Sequence, residues 1–345
     1  MSGSKDFRPG FLSARPYRSG RTVVIAGGAG FIGSNLSQRL FSEGDRVICV
    51  DNLETGRKEN IAALLEHPGF AFFLHDIIEP FGIEGPVDRI YNLACPGSPP
   101  KYQRDPLHTF KTSIIGGINL LELAEEKDAR ILQSSTSEVY GDPDISPQPE
   151  TYRGLVNTVG PRACYDEGKR GVETLFHEMH EREGVDTRIA RIFNTYGPNM
   201  DPEDGRVVSN FIVQAFTGQD LTIYGDGHQT RSFCYIDDML DGLTSLMETE
   251  VSSGKIDDPV NLGNPGEFTV VELAEIVLEM TGSESGISHK DLPQDDPRHR
   301  RPDISRAGSM LGWAPRISLR EGLTPTIEYF RQELHRQKRL KGQVA

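Results

Sequence analysis

The sequence is short of cysteine, of positive charge and of long apolar runs, and each shortage excludes something. Only four cysteines occur in 345 residues, Cys49, Cys95, Cys164 and Cys234, and no two stand in a C-x-x-C. That leaves no zinc-ribbon spacing and no thioredoxin-type pair. Thiols so sparse in a chain this long point to the reducing cytoplasm, with the cysteines packing as small hydrophobes. Lys and Arg number 37 against 51 Asp and Glu, for a net charge of −14. A field of that sign disfavours nucleic acid and acidic membranes, so an anionic small molecule would need a local cluster of cations. No apolar stretch reaches the roughly 18 residues that cross a bilayer. Residues 1–20 hold no apolar run of the secretion-signal type and read as a flexible tail. The 36 Gly and 22 Pro follow no Gly-X-Y period, which excludes a collagen-like chain. His177 and His180 lack a third ligand nearby, so no metal is expected. No G-x-S-x-G occurs, so Ser134 and Ser135 are not hydrolase nucleophiles.

What the chain does have is alternation. Short β-branched runs stand at Thr22–Ala26, Arg46–Asp51, Ala71–His75, Arg89–Ala94, Arg130–Ser135 and Thr187–Phe193. Helical periods fall between them at Ser34–Glu43, Ile61–Glu66, Phe110–Lys127 and Cys164–Glu183. Strands alternating with helices predict an α/β fold, a doubly wound parallel sheet with helices on both faces. Beyond Phe193 the rhythm breaks into segments rich in Gly, Pro, Asn and Asp. The expected division is a sheet domain over 21–193, to which the chain returns around 229–262. A smaller α/β domain occupies most of 194–335, with a tail at 336–345.

Gly27–Gly33 reads GGAGFIG, and Gly28, Gly30 and Gly33 satisfy G-x-G-x-x-G. The motif follows an apolar strand and opens a helix, the context in which it binds a dinucleotide in a Rossmann-type domain. Missing side chains let the backbone approach a pyrophosphate, and the helix N-terminus offers free N–H groups and a positive dipole end. Asp51 ends the next strand, 18 residues after Gly33. A carboxylate there accepts from a ribose diol and repels a 2′-phosphate, which favours NAD over NADP. Asp76, after the third strand, is placed to hydrogen-bond an adenine or to serve as an ordinary loop acid.

Tyr165 and Lys169 are four apart on a predicted helix and share one face. A phenol has a pKa near 10, but a neighbouring ammonium and a nicotinamide cation both favour phenolate, so a pKa near neutrality is expected. The strand before this helix ends in Ser134–Ser135–Thr136–Ser137–Glu138, and C-terminal strand ends carry the site in such sheets. Thr136 offers a hydroxyl to position an alcohol, and Glu138 a carboxyl group for proton transfer.

With these residues in view the sequence resembles the extended short-chain dehydrogenase/reductase superfamily and, within it, the UDP-glucuronate decarboxylase family. The resemblance runs from Arg21 to Arg331 through DNLETGRKEN, LACPGSPPKY, STSEVYGDP, GPRACYDEGKR, RIFNTYGPNM, DGRVVSNF, YGDGHQTRSF, NLGNPGEFT and DDPRHRRPDIS. Related 4-epimerases carry a small non-acidic residue at Glu138, and 4,6-dehydratases carry Asp at Ser137. The Thr-Ser-Glu triplet here is the decarboxylase pattern.

The resemblance implies NAD held by Gly27, Gly30, Phe31, Ile32, Gly33, Asp51, Asn52, Asp76 and Ile77, together with Tyr165 and Lys169. It implies catalytic roles for Tyr165, Lys169, Thr136, Ser137, Glu138 and Arg300. Lys111, Asn119, Asn194, Arg206 and Arg231 would contact a UDP-sugar. A homodimer through Phe110–Lys127 and Cys164–Glu183 is likewise implied. Two positions depart from the pattern: Gly97 replaces the usual Ala and Arg153 the usual Trp. A 4,6-dehydratase, a 4-epimerase and a non-enzymatic NAD-sensing regulator remain as alternatives.

Overall fold

Val23 and Ile25 pack against one cluster of side chains while Val24 and Ala26 pack against another. Successive strand residues point to opposite faces, so a run that is apolar at every position must be covered on both sides. The computed structural model describes residues 10–12, 20–250, 258–292 and 299–343. Its central sheet is parallel and has seven strands: β1 (Thr22–Ala26), β2 (Arg46–Asp51), β3 (Phe70–Leu74), β4 (Arg89–Asn92), β5 (Arg130–Thr136), β6 (Thr187–Ile192) and β7 (Val260–Leu262). They lie in the order β7-β6-β5-β4-β1-β2-β3. The order reverses beside β1, and a ligand crevice forms at the carboxyl ends there.

Helix α1 (Phe31–Ser42) brings Leu36 and Leu40 to the face served by Val23 and Ile25. The opposite face is covered by α2 (Pro106–Lys127) and α3 (Ala163–Glu183), through Leu120, Leu121, Val172 and Phe176. Asp105 caps α2 by accepting from His108 N at 3.0 Å, with Pro106 at the first helical position.

After β6 come α4 (Val207–Thr217), α5 (Ile236–Glu248), α6 (Val270–Thr281) and α7 (Leu319–Gln343). Between them Leu221–Tyr224 pairs with Ile287–Lys290, and Thr230–Ser232 pairs with both Glu267–Thr269 and His299–Arg300. Cys234–Tyr235 returns the chain to the sheet layer beside Thr195–Tyr196, and α5 and β7 follow. Phe211, Ile212, Leu273 and Phe330 share one apolar cluster with Leu36 and Met239, so the smaller lobe is continuous with the α1 side of the sheet.

Some expectations needed correction. The helical period at Ile61–Glu66 is a 3-10 turn over Lys58–Leu64. Residues 336–343 are not a tail but the last turns of α7, with Arg336 paired to Glu333 at 2.8 Å. Within the expected N-terminal tail, Gly10–Leu12 pairs with Phe81–Ile83; residues 1–9 and 13–19 lie outside the described residues. No helix among the described residues is long and apolar enough to cross a membrane.

Candidate active site

The turns after β1, β2, β4, β5 and β6 open into one cleft of about 550 Å³, closed on its far side by Arg206, Arg231 and Arg300 of the smaller lobe. In the cofactor half, a Cβ on Gly33 would lie 2.1 Å from Gly27 O, and one on Gly27, whose φ is +76°, would lie 2.7 Å from Leu93 C. Hydrogen alone fits at both positions. Gly30 is the N-cap of α1 and brings no side chain to its first N–H groups, which stay open for an anion. Asp51 closes the far end. Its Oδ2 accepts from Ala29 N at 2.9 Å and its Oδ1 from Leu53 N at 2.8 Å. Burial nevertheless pushes this carboxyl above its ordinary value.

Asp76 is tied into a network. Its Oδ2 accepts from Asn52 Nδ2 at 2.9 Å and meets His108 Nε2 at 2.8 Å, while Oδ1 accepts from Ile78 N at 3.0 Å. Burial acts against ionisation, but these donors outweigh it and hold the carboxyl below its usual range. Phe31, Ile32, Asn52 and Ile77 also line this half. A glycine cradle, an uncapped helix start and an acid at the end of β2 fit a dinucleotide.

In the catalytic half the Tyr165 ring stacks on Tyr102, with centroids 5.0 Å apart and planes 4° from parallel. The Thr136 hydroxyl acts on the phenol in the direction that favours its ionised form. Lys169 Nζ donates to Ser134 O at 2.8 Å and lies 5.9 Å from the Tyr165 ring centroid. Burial pushes the phenol up and the Lys169 ammonium down. The protein's own groups leave the Tyr165 phenol above its ordinary value, so the expected fall toward neutrality rests on the nicotinamide cation. Ser137 is buried at the cleft wall.

Glu138 is clamped by two cations: Arg300 Nη2 lies 2.8 Å from Oε1, and Arg162 Nη2 donates to Oε2 at 2.6 Å. Burial opposes the charge, but the two guanidiniums prevail and keep Glu138 below the usual carboxylate range. At neutral pH it is a carboxylate, so it passes a proton only by way of a water or another donor. Arg300 also donates to Asn194 Oδ1 at 3.2 Å and stands in register beside Arg231. The Arg206 guanidinium sits 5.8 Å from the Phe31 ring centroid.

Two expected substrate contacts are not in the cleft. Lys111 is exposed on the outer side of α2. Asn119 is buried beneath the cleft floor, where its Nδ2 donates to Ile77 O at 2.7 Å. Of the two departures, Gly97 lines the cleft with nothing within 4 Å of an added Cβ, while Arg153 is exposed outside it. Arg298, two residues before Arg300 in DDPRHRRPDIS, lies outside the described residues. Sequence reasoning missed Arg162, His108 and Lys101, the last paired with Asp201 at 3.0 Å. Arg162 was open to discovery, since it lies three residues before Tyr165 in the motif read only for its Tyr and Lys. Among the described residues no three His, Cys, Asp or Glu are grouped to hold a metal ion.

A glycine-cradled crevice joined to a Tyr-x-x-x-Lys pair at the strand ends defines the class, an extended short-chain dehydrogenase/reductase. Comparison with known proteins agrees. The chain belongs to the GDP-mannose 4,6 dehydratase family, which matches residues 24–326, and within it to the UDP-glucuronic acid decarboxylases. It is 54% identical to UDP-glucuronic acid decarboxylase 3 of Arabidopsis thaliana over 314 residues, covering 91% of this chain and 90% of the relative. Among solved structures it resembles UDP-glucose 4-epimerase from Thermotoga maritima with UDP-glucose, with a TM-score of 0.81 and 30% identity, covering 91% of this chain and 99% of that one. It also resembles a variant UDP-glucuronic acid 4-epimerase from Bacillus cereus, in complex with UDP-4-deoxy-4-fluoro-glucuronic acid and NAD. There the TM-score is 0.79 and the identity 27%, covering 90% of this chain and 99% of that one.

Proposed function

We propose that this protein is an NAD-dependent UDP-glucuronate decarboxylase that forms UDP-xylose. The observation that carries this reading is the triplet Thr136–Ser137–Glu138 beside Tyr165, with Glu138 ionised between Arg162 and Arg300. Ser137 offers no acid for expelling a hydroxyl as water. The arginines offer charge for a uronic acid and for a pyrophosphate.

Bound NAD supplies the temporary removal of hydride from C4 and its return. The Gly27–Gly33 turn, Asp51 and Asp76 hold that group. Tyr165 takes the proton of the C4 hydroxyl, which Thr136 positions. The resulting C4 ketone stands β to the C6 carboxylate, so the C5–C6 bond breaks and its electron pair enters a C4–C5 enolate. The Tyr165 hydroxyl donates to the enolate oxygen. Glu138 orients the water that returns a proton to C5. Asn194, Arg206 and Arg231 hold the nucleotide-sugar.

We further propose a homodimer through α2 and α3. Leu107, Phe110 and Ile118 on α2 are 64, 40 and 37% exposed, a large apolar face for a free surface. Four free cysteines suit the reducing cytoplasm. Scattering that returns a monomer mass would remove the dimer.

The deciding test is incubation with UDP-glucuronate and no added NAD, read by mass spectrometry. Loss of CO₂ supports the reading. Loss of water, an unchanged mass or an untouched substrate each overturns it.

A further inference from the structure

Glu138 is held from two sides, and the two holds belong to different parts of the fold. Arg300 reaches Oε1 from the strand His299–Arg300 of the smaller lobe and divides its guanidinium between Glu138 and Asn194. Arg162 reaches Oε2 from the foot of α3, where it is the N-cap and only 7% exposed. Glu138 itself follows β5, so Glu138, Arg162 and Tyr165 all ride on the sheet layer.

We infer that Arg162 is a positioning residue for the decarboxylation: it keeps Glu138 seated beside Tyr165 while Arg300 turns from Glu138 to the substrate's carboxylate. The inference rests on the proposed function above, which brings a C6 carboxylate into the cleft. A guanidinium divided between two carboxylates holds each less fully, so as Arg300 engages the substrate its grip on Glu138 weakens. A buried carboxylate stripped of its partner is strongly disfavoured; it takes up a proton or swings away. Arg162 lines the same cleft but holds the other oxygen of Glu138, from the foot of α3.

The groups facing Glu138 are Arg162, Tyr165 and Asp166 from α3, Tyr102 from the short helix Pro99–Tyr102, and Arg231 and Arg300 from the smaller lobe. Asp166 offers no compensation. It is buried, its Oδ1 has no hydrogen-bond partner, and burial together with the Glu138 charge pushes its carboxyl up to about 8. Both tyrosines are buried phenols. Arg231 adds its charge from the same lobe as Arg300; the cation bonded to Glu138 from the sheet layer is Arg162.

The test is a double-mutant cycle on the full-length holoenzyme with UDP-glucuronate, reading CO₂ release and, in a single turnover, the absorbance of reduced nicotinamide. Arg162→Met should lower kcat by about tenfold or more with KM changed by less than about threefold, and Arg162→Lys should restore much of the loss. The acid limb of the kcat profile should move to higher pH in Arg162→Met, because a carboxylate with one cation fewer protonates sooner. In a Glu138→Gln background the same change should cost under about twofold, since Arg162 acts through Glu138. Equal losses in both backgrounds, or an unmoved acid limb, overturn the inference. If Arg162→Met does not fold, Arg162→Gln in the two backgrounds gives the same comparison. Wild-type protein that releases no CO₂ defeats the proposed function instead, so the two failures are distinguishable.

Discussion

His108 Nε2 lies 2.8 Å from Asp76 Oδ2, and its Nδ1 lies 3.1 Å from Glu54 Oε2. One imidazole thus joins the turns after β2 and β3 to the first turn of α2. Partial burial by itself lowers the imidazole pKa, but the bond to Asp76 and the charges of Asp76, Glu54 and Asp105 outweigh it and raise the pKa. A group whose pKa rises on folding stabilises the fold fully below its unfolded value, about 6.5 for His, and loses that contribution as pH climbs through the raised value. His108→Gln should therefore lower Tm relative to wild type near pH 6 and narrow the gap at high pH. The site is partly exposed, so the effect should stay within about 1 kcal/mol. Thermal melts across pH check it, and a gap independent of pH would contradict it.

Gly33 and Gly97 both border the cleft and make opposite predictions. A methyl group at Gly33 meets the Gly27 carbonyl at 2.1 Å, backbone against backbone, whereas one at Gly97 meets nothing within 4 Å. Gly33→Ala should shift the turn and strip the protein of NAD. Gly97→Ala should leave bound NAD, Tm and turnover close to wild type. The dinucleotide content of purified protein reads both, and NAD retained by Gly33→Ala would show that the cradle needs no such closeness.

Asn119 and Lys111 separate burial from substrate contact. Asn119 supports Ile77 from below the cleft, so Asn119→Ala leaves a buried carbonyl unpaired. That should cost about 1–3 kcal/mol of stability and weaken cofactor retention, with KM for UDP-glucuronate little changed. Lys111→Ala, at an exposed position, should leave both kcat and KM within about twofold of wild type. Steady-state kinetics with denaturant melts resolve the two. A large rise in KM for Lys111→Ala would return that lysine to the site.

The sequence made the sheet legible because each strand carries a short run of β-branched or other apolar residues and the glycine turn follows β1 directly. Five of the six expected strands begin at the observed residue and the sixth one residue late, and Thr22–Ala26 and Arg46–Asp51 coincide with β1 and β2. The seventh strand, Val260–Leu262, has three residues and no periodicity of its own; its place follows from tertiary return beside β6. At the site, motif positions located the groups on strand and helix ends but not which way helical residues point. Asn119 and Lys111 share α2, yet one supports the floor and the other faces outward. The Arg162–Glu138 pair spans 24 residues, and no local pattern reports a charge pair of that kind.

Tyr165 gives the sharpest division between binding and chemistry. Its ring packs on Tyr102 and lines the cleft together with Thr136. Tyr165→Phe keeps the ring and the stack and removes only the oxygen. The fold, the bound NAD and the affinity for UDP-glucuronate should survive, while C4 oxidation slows by about 10³-fold or more. Removing the carboxylate at Glu138 should act later: Glu138→Gln still oxidises C4 but lowers product formation by about 10²-fold. A single-turnover experiment orders the two, since reduced nicotinamide should be absent in Tyr165→Phe and should accumulate in Glu138→Gln. If Glu138→Gln also fails to reduce the nicotinamide, its carboxylate serves the first step, and the orienting role assigned to it at C5 is wrong.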